Sequence, residues 1–206
     1  MYKRQVLEDV VSSLSSIANQ LGKPTPVVSI KAKNVGIKST GFELMGDIFA
    51  HLLRNCVDHG IELPAERSKL GKPSHGIISI NAITYRGNLN IYIKDDGRGL
   101  HISSLFEKGV ELGKWKKEDT VDSWHIADLI FKSGVSTKSQ VTTISGRGVG
   151  MDAVKQFLTE QGGNITLILP EVKESSGPFL PFELMVSLPP EAVPYKHLTL
   201  PTIYSV

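Results

Sequence analysis

Two strand-sized runs, about Gly76 to Thr84 and Asn88 to Lys94, flank the turn-forming stretch Arg86-Gly87-Asn88. Such a stretch predicts a β-hairpin, which commits the middle of the chain to an antiparallel sheet. A sheet must bury one face, and the chain offers helices to cover it. Val6, Val10, Leu14, Ile17 and Leu21 recur every three or four residues and predict an amphipathic helix ended by Gly22 and Pro24. Gly41 to Asp58 predicts a second helix, with Phe42, Met45, Ile48, Phe49, Leu52 and Leu53 on a broad apolar face. Val27 to Lys33 alternates apolar and polar residues and predicts a strand, and Pro64 to Leu70 a short helical turn with Pro64 at its first position. A polar, weakly helical region runs to about Gly113. A short helix follows from Trp124 to Phe131, then a Ser-, Thr- and Gly-rich loop from Lys132 to Gly150. Val149 to Gln161 predicts a helix ended by Gly162-Gly163, and Asn164 to Leu169 with Phe182 to Leu188 a closing pair of strands. Helices mixed with antiparallel strands in one domain make the class α+β.

Composition narrows the function classes. The 206 residues are 40% hydrophobic and 21% charged, and 23 Lys and Arg against 21 Asp and Glu leave a net charge of +2. That excludes a disordered chain and lacks the basic excess of a dedicated nucleic-acid binder. The single cysteine, Cys56, excludes an internal disulfide and a multi-cysteine metal site. No apolar run approaches the roughly 20 residues of a membrane span, the best being strand-sized like Ile165 to Leu169, and the N-terminus does not read as a signal peptide.

Three polar clusters interrupt the apolar pattern. In the first, His51, Asn55 and Asp58 or His59 fall three or four residues apart, on one face of the second helix. An asparagine amide oxygen there can take one position on a Mg²⁺ that otherwise holds water and phosphate; the same spacing also describes a solvated polar face. The second, Asp95-Asp96-Gly97-Arg98-Gly99, ends a strand. Its glycines admit a flat ring close to the backbone and its carboxylate can accept from an exocyclic amine, yet Asp-Gly also makes plain turns. The third, Ser145-Gly146-Arg147-Gly148-Val149-Gly150, precedes a helix and exposes backbone N–H groups to phosphate. It fits neither the dinucleotide fingerprint nor the P-loop.

Taken together, the clusters resemble the ATP-binding fold of the GHKL superfamily (gyrase, heat-shock ATPase, histidine kinase and MutL types), and more closely the catalytic domain of CheA-type chemotaxis histidine kinases. The resemblance is carried by HLLRNCVDHGIELPAERSKLGK, then DDGRGL, then FKSGVSTKSQVTTISGRGVGMDAVKQFL, and covers roughly Gly41 to Leu188. It implies a two-layer α/β sandwich of the Bergerat type, with a mixed, mostly antiparallel sheet, helices on one face and a mobile ATP lid. It implies ATP and Mg²⁺ as cofactors. Asn55 matches the metal ligand, and His51 a residue that acts as base or orients the reacting group. Asp58 and His59 match positions near the nucleotide. Asp95 matches the adenine-recognising aspartate, with Gly97 and Gly99 beside the base. Gly146, Arg147, Gly148, Val149 and Gly150 match the phosphate-binding glycine box, and Thr137 and Lys138 the lid, with Phe131 and Gly134 before it. Ser104 stands where the family often has a lysine, and Lys108 one turn later could partly substitute. Hydrolytic members usually carry glutamate at the place of His51.

The resemblance implies transfer of the γ-phosphoryl group to a histidine on a separate phosphotransfer domain, which then phosphorylates a response regulator. None of the chain's own histidines (His51, His59, His75, His101, His125 and His197) sits in an accepting motif, and His125 is expected to pack at the lid base. A coupling protein and receptor would engage through domains outside this segment. The expected domain is 6–193 with a core at 41–188, flanked by non-native sequence at 1–5 and 195–206. The piece is expected to be monomeric and cytoplasmic in a bacterium, without nucleic-acid partner or membrane insertion. The rival readings are a GHKL ATPase driving conformational change and a degenerate docking module that binds no nucleotide.

Overall fold

The hairpin organises the sheet. In this computed structural model, which describes residues 5–33, 39–135, 150–170 and 178–189, Arg86 and Gly87 both take positive φ, 50° and 84°. That is the two-residue turn whose twist suits paired strands. The chain runs α1 (Gln5–Gln20), β1 (Val27–Lys33), α2 (Ser39–Asn55), a π-turn (Cys56–Gly60), α3 (Pro64–Lys69), β2 (Ile77–Tyr85) and β3 (Asn88–Asp95). It continues through β4 (Leu100–His101), α4 (Ile102–Glu111), α5 (Ser123–Asp128) with a 3₁₀ turn (Leu129–Phe131), α6 (Met151–Glu160), β5 (Asn164–Ile168), β6 (Phe179–Leu180) and β7 (Glu183–Leu188).

The main sheet has the order β1-β2-β3-β7-β5. Among the described residues only β1 and β2 pair in parallel, joined by the crossover that contains α2 and α3. Alternation puts one row of side chains on one face. Ile80, Ile93, Leu184 and Leu167 lie side by side across four strands, as do Ala82, Ile91, Val186 and Ile165. All are buried, under Leu14 and Ala18 of α1, Ile48, Phe49, Leu52 and Leu53 of α2, and Val154 and Leu158 of α6. Each buried aliphatic side chain stabilises the fold by roughly 1.5–3 kcal/mol relative to exposure. Ser79, Asn81 and Lys94 on the opposite face are exposed. The α+β, two-layer architecture with a mixed, mostly antiparallel sheet is therefore as expected.

Three details differ from the sequence reading. The second helix does not run regularly to Asp58: after Asn55 its ladder widens to the Ile61 N–H to Cys56 carbonyl bond of 2.8 Å. The region read as weakly helical contains the regular helix α4, whose His101 accepts from the Ser104 N–H at its N-terminus. A second, two-residue strand pair joins Leu100 to Leu180 and His101 to Phe179. Of the flanks expected to be non-native, 1–4 and 195–206 lie outside the described residues, whereas Gln5 opens α1.

Candidate functional site

The site is built around the end of α2. A π-turn leaves carbonyls without their regular helical partners. Lys23, just after α1, supplies a cation to them: its Nζ donates to the carbonyls of Val57 (2.6 Å), Asp58 (3.0 Å) and Ile61 (2.7 Å). The extra residue in the turn takes Asp58 and His59 out of the 3.6-residue register that would have stacked them above Asn55. Asp58 is partly buried and His59 exposed, and their side chains lie 3.6 Å apart. Lys23→Met is expected to lower stability by about 1–3 kcal/mol, since charge-assisted hydrogen bonds to buried carbonyls are lost; denaturant unfolding measures it.

Immediately before the π-turn, Asn55 Nδ2 lies 3.1 Å from His51 Nε2, one helical turn earlier, and 3.4 Å from Met151 Sδ at the start of α6. Burial lowers the His51 pKa from its usual 6.5, and the neighbouring Arg54 and His59 lower it further, so its imidazole is neutral near pH 7. Asn55 Oδ1 takes no hydrogen bond among the described residues. Those residues also contain no group of three or more His, Cys, Asp and Glu that could hold a metal ion. A single hard amide oxygen suits Mg²⁺, which keeps few protein ligands and fills the rest with water and phosphate.

One residue after Asn55 comes the buried Cys56, and the Asp95 carboxylate at the end of β3 packs against Gly60 of the π-turn, where an added Cβ would stand 2.7 Å from its Oδ1. Burial raises the Asp95 pKa above 3.8, against the Gly97 N–H that donates to it at 2.9 Å. Burial and the Asp95 charge push the Cys56 thiol well up, which makes it a poor nucleophile. The loop after Asp95 is clamped to the π-turn by the Arg98 N–H to Gly60 carbonyl bond of 2.9 Å. A Cβ on Gly97 would stand 2.1 Å from the Gly60 oxygen, and Gly99 has φ +80° with the Leu180 carbonyl 2.3 Å from any added Cβ. These glycines are required by close backbone approach.

Beneath this loop lies an ion network absent from the sequence reading. Arg67 is fully buried, and donates to Glu62 (2.9 Å), to Asp96 (2.7 and 3.2 Å) and to the Pro73 carbonyl (2.6 Å). Lys72 adds bonds to Glu62 (2.7 Å) and to the carbonyls of Asp96 (2.8 Å) and Gly97 (3.0 Å). Asp96 thus ties β3 to the α3 segment, while the Asp95 carboxylate lies against Gly60 of the π-turn.

Of the remaining expected residues, Thr137, Lys138, Gly146, Arg147, Gly148 and Val149 lie outside the described residues. Gly150 stands at the N-terminal cap of α6. Phe131 is buried and Gly134 takes φ +83°. Ser104 bonds to His101 with its hydroxyl at 2.9 Å, and Lys108 pairs with Glu111 at 2.8 Å. His125 is corrected: it does not pack at a lid base but is about two-thirds exposed and pairs with Asp122, which caps α5.

Fold and site together define a class. The chain belongs to the histidine kinase-, DNA gyrase B-, and HSP90-like ATPase family, whose model matches residues 43–189. It is similar to the chemotaxis protein CheA of Bacillus subtilis, 36% identical over 163 residues that make up 78% of this chain and 24% of that protein. CheA of Salmonella typhimurium is 37% identical over 161 residues, 78% of this chain and 23% of that one. The sensor histidine kinase CheAY of Helicobacter pylori is 37% identical over 153 residues, 73% and 19%. The chain spans about a quarter of the length of such relatives, or less. The catalytic domain of histidine kinase ThkA superposes with a TM-score of 0.51 at 14% identity, over 93% of this chain and 96% of that one, and shares the fold.

Proposed function

We propose that this chain is the ATP-binding catalytic domain of a CheA-type histidine kinase, covering 6–193. It transfers the ATP γ-phosphoryl group to a histidine on a separate phosphotransfer domain. The observation that carries this is the pair of polar ends joined by the last turn of α2: Asn55 and His51 beside the start of α6, and Asp95 across the π-turn at the end of β3. One end suits a cation and phosphates, the other an adenine amine.

Asp95 accepts a hydrogen bond from the exocyclic amine of adenine, with Gly97 and Gly99 beside the base. Asn55 Oδ1 would hold Mg²⁺, which would supply charge neutralisation to the transferring phosphate. The N-terminal end of α6, with Gly146, Arg147, Gly148, Val149 and Gly150 leading into it, receives the phosphates. Asp58, His59, Thr137 and Lys138 line the nucleotide. Catalysis rests on positioning: the γ-phosphorus is held in line with an incoming imidazole nitrogen, and the bond to the β-bridging oxygen breaks as the N–P bond forms. The phosphohistidine then supplies a response-regulator aspartate. The parent protein reaches coupling protein and receptor through other domains. Alone, the domain is monomeric and works in the bacterial cytoplasm; among the described residues no helix is long and apolar enough to cross a membrane.

Incubation with γ-labelled ATP, Mg²⁺ and an isolated phosphotransfer domain tests this. Label should move to a histidine of the acceptor, in an acid-labile and alkali-stable bond. Label released as inorganic phosphate at the same rate with and without the acceptor would instead make the chain an ATPase.

A further inference from the structure

The contact between α2 and α6 is chemically asymmetric. An amide presents donors at nitrogen and lone pairs at oxygen, and either end can face a neighbour. His51 alone does not decide between them, because a neutral imidazole can offer either an N–H or a lone pair at Nε2. Met151 does decide. Its thioether sulfur has lone pairs and no proton, so it accepts and never donates. With Sδ 3.4 Å and His51 Nε2 3.1 Å from the same nitrogen, Asn55 Nδ2 spends its two protons on two acceptors. The flipped amide would set oxygen lone pairs against sulfur lone pairs.

We infer that Met151 is a positioning residue: its sulfur selects the Asn55 amide orientation that presents Oδ1 to a divalent cation, and thereby holds His51 in the tautomer protonated at Nδ1. The part that concerns the cation rests on the reading of Asn55 as its ligand; the part that concerns the tautomer does not. The consequence for His51 is specific. While Asn55 donates to it, its Nε2 lone pair is occupied, so His51 serves to hold Asn55 rather than to remove a proton.

Two measurements on the domain test this, with Met151→Leu as a variant of similar volume that lacks the acceptor. The first needs neither nucleotide nor metal: the imidazole ¹⁵N shifts of His51 report its tautomer. Wild type should show a bare Nε2 and a protonated Nδ1, and Met151→Leu a shift toward protonated Nε2. A wild-type His51 protonated at Nε2, or a tautomer unmoved by Met151→Leu, overturns the inference. The second is the affinity for a non-hydrolysable ATP analogue with Mg²⁺ and with EDTA. Met151→Leu should cut the Mg²⁺-dependent gain by about 3–10-fold, the worth of one modest hydrogen bond, and leave the EDTA affinity unchanged. In an Asn55→Asp background both side-chain termini are oxygens, so Met151→Leu should no longer reduce the gain. Equal losses with and without Mg²⁺, or an unchanged gain, contradict the positioning role. A wild type that binds no nucleotide sinks the proposed function, and the tautomer measurement then decides the inference by itself.

Discussion

Asp95→Asn is expected to give a protein that is more stable at pH 7 and binds ATP far more weakly. The sign follows from burial, which raises the folded-state pKa of Asp95 above its ordinary 3.8 although the Gly97 N–H opposes it. A group that binds its proton more tightly when folded stabilises the protein below its unfolded pKa, and that stabilisation is lost as the pH rises through the folded pKa. At neutral pH the ionised carboxylate therefore works against folding. Asparagine keeps an acceptor for Gly97 N–H and removes the charge, so the unfolding temperature should rise at pH 7, with the gain vanishing toward acid pH. For nucleotide the change goes the other way. A carboxylate that accepts from an amine is replaced by a group that accepts less strongly and can turn a second amine toward it. The affinity should fall about 30–100-fold, equivalent to roughly 2–3 kcal/mol. Stability that falls at pH 7 would assign the carboxylate a structural role, and an unchanged affinity would remove it from the adenine end. The combination of higher stability and weakened binding is what a charge retained for function leaves behind.

Arg67→Met is expected to have the largest effect on folding of any single change outside the apolar core. Glu62 and Asp96 converge on its guanidinium, and Arg67 has no exposed surface. Burial works to raise the pKa of Asp96, but the hydrogen bonds from Arg67 and from the Ile77 N–H outweigh it and hold the carboxylate below its usual range. Glu62 shows the same balance, with Lys72 and Arg67 against burial. Removing the arginine leaves Asp96 without its ion partner and Glu62 with Lys72 alone, which costs about 3–5 kcal/mol and about 6–20 °C in unfolding temperature for a domain of this size. Arg67→Lys should rescue little, because a point ammonium cannot span Glu62, Asp96 and the Pro73 carbonyl as the planar fork does. Combining Arg67→Met with Glu62→Gln and Asp96→Asn should recover part of the loss, because the buried charges are then gone. A loss under 1 kcal/mol for Arg67→Met alone, read from denaturant unfolding, would show the network to be solvated.

Legibility in the sequence followed how local each signal is. Strands β2, β3 and β7 and the hairpin at Arg86-Gly87 could be read because alternation and turn chemistry are encoded within a few residues. His51 and Asn55 were legible because four residues make one helical turn, and the structure brings them within hydrogen-bond distance. The π-turn was hidden: it depends on Lys23, more than thirty positions away, and Gly22 and Pro24 on either side speak only of a helix stop. The ion network was hidden for a related reason. Glu62, Arg67 and Lys72 are spaced like ordinary surface charges, and arginine is rarely buried, so only the tertiary approach of Asp96 marks them. The pairing of β4 with β6 is too short to carry a period. The exposure of His125 was hidden because the ring is held at the surface by its pairing with Asp122, the cap of α5.

The proposed site joins the two ends of the α2 turn into one place for Mg²⁺ and nucleotide. Titration calorimetry of a non-hydrolysable ATP analogue, with Mg²⁺ and with EDTA, on wild type and Asn55→Ala tests it most directly. Wild type should bind in both conditions and more tightly with Mg²⁺, and Asn55→Ala should keep the EDTA affinity while losing the Mg²⁺-dependent gain. A gain that survives in Asn55→Ala, or a folded wild type that binds no nucleotide, would contradict it.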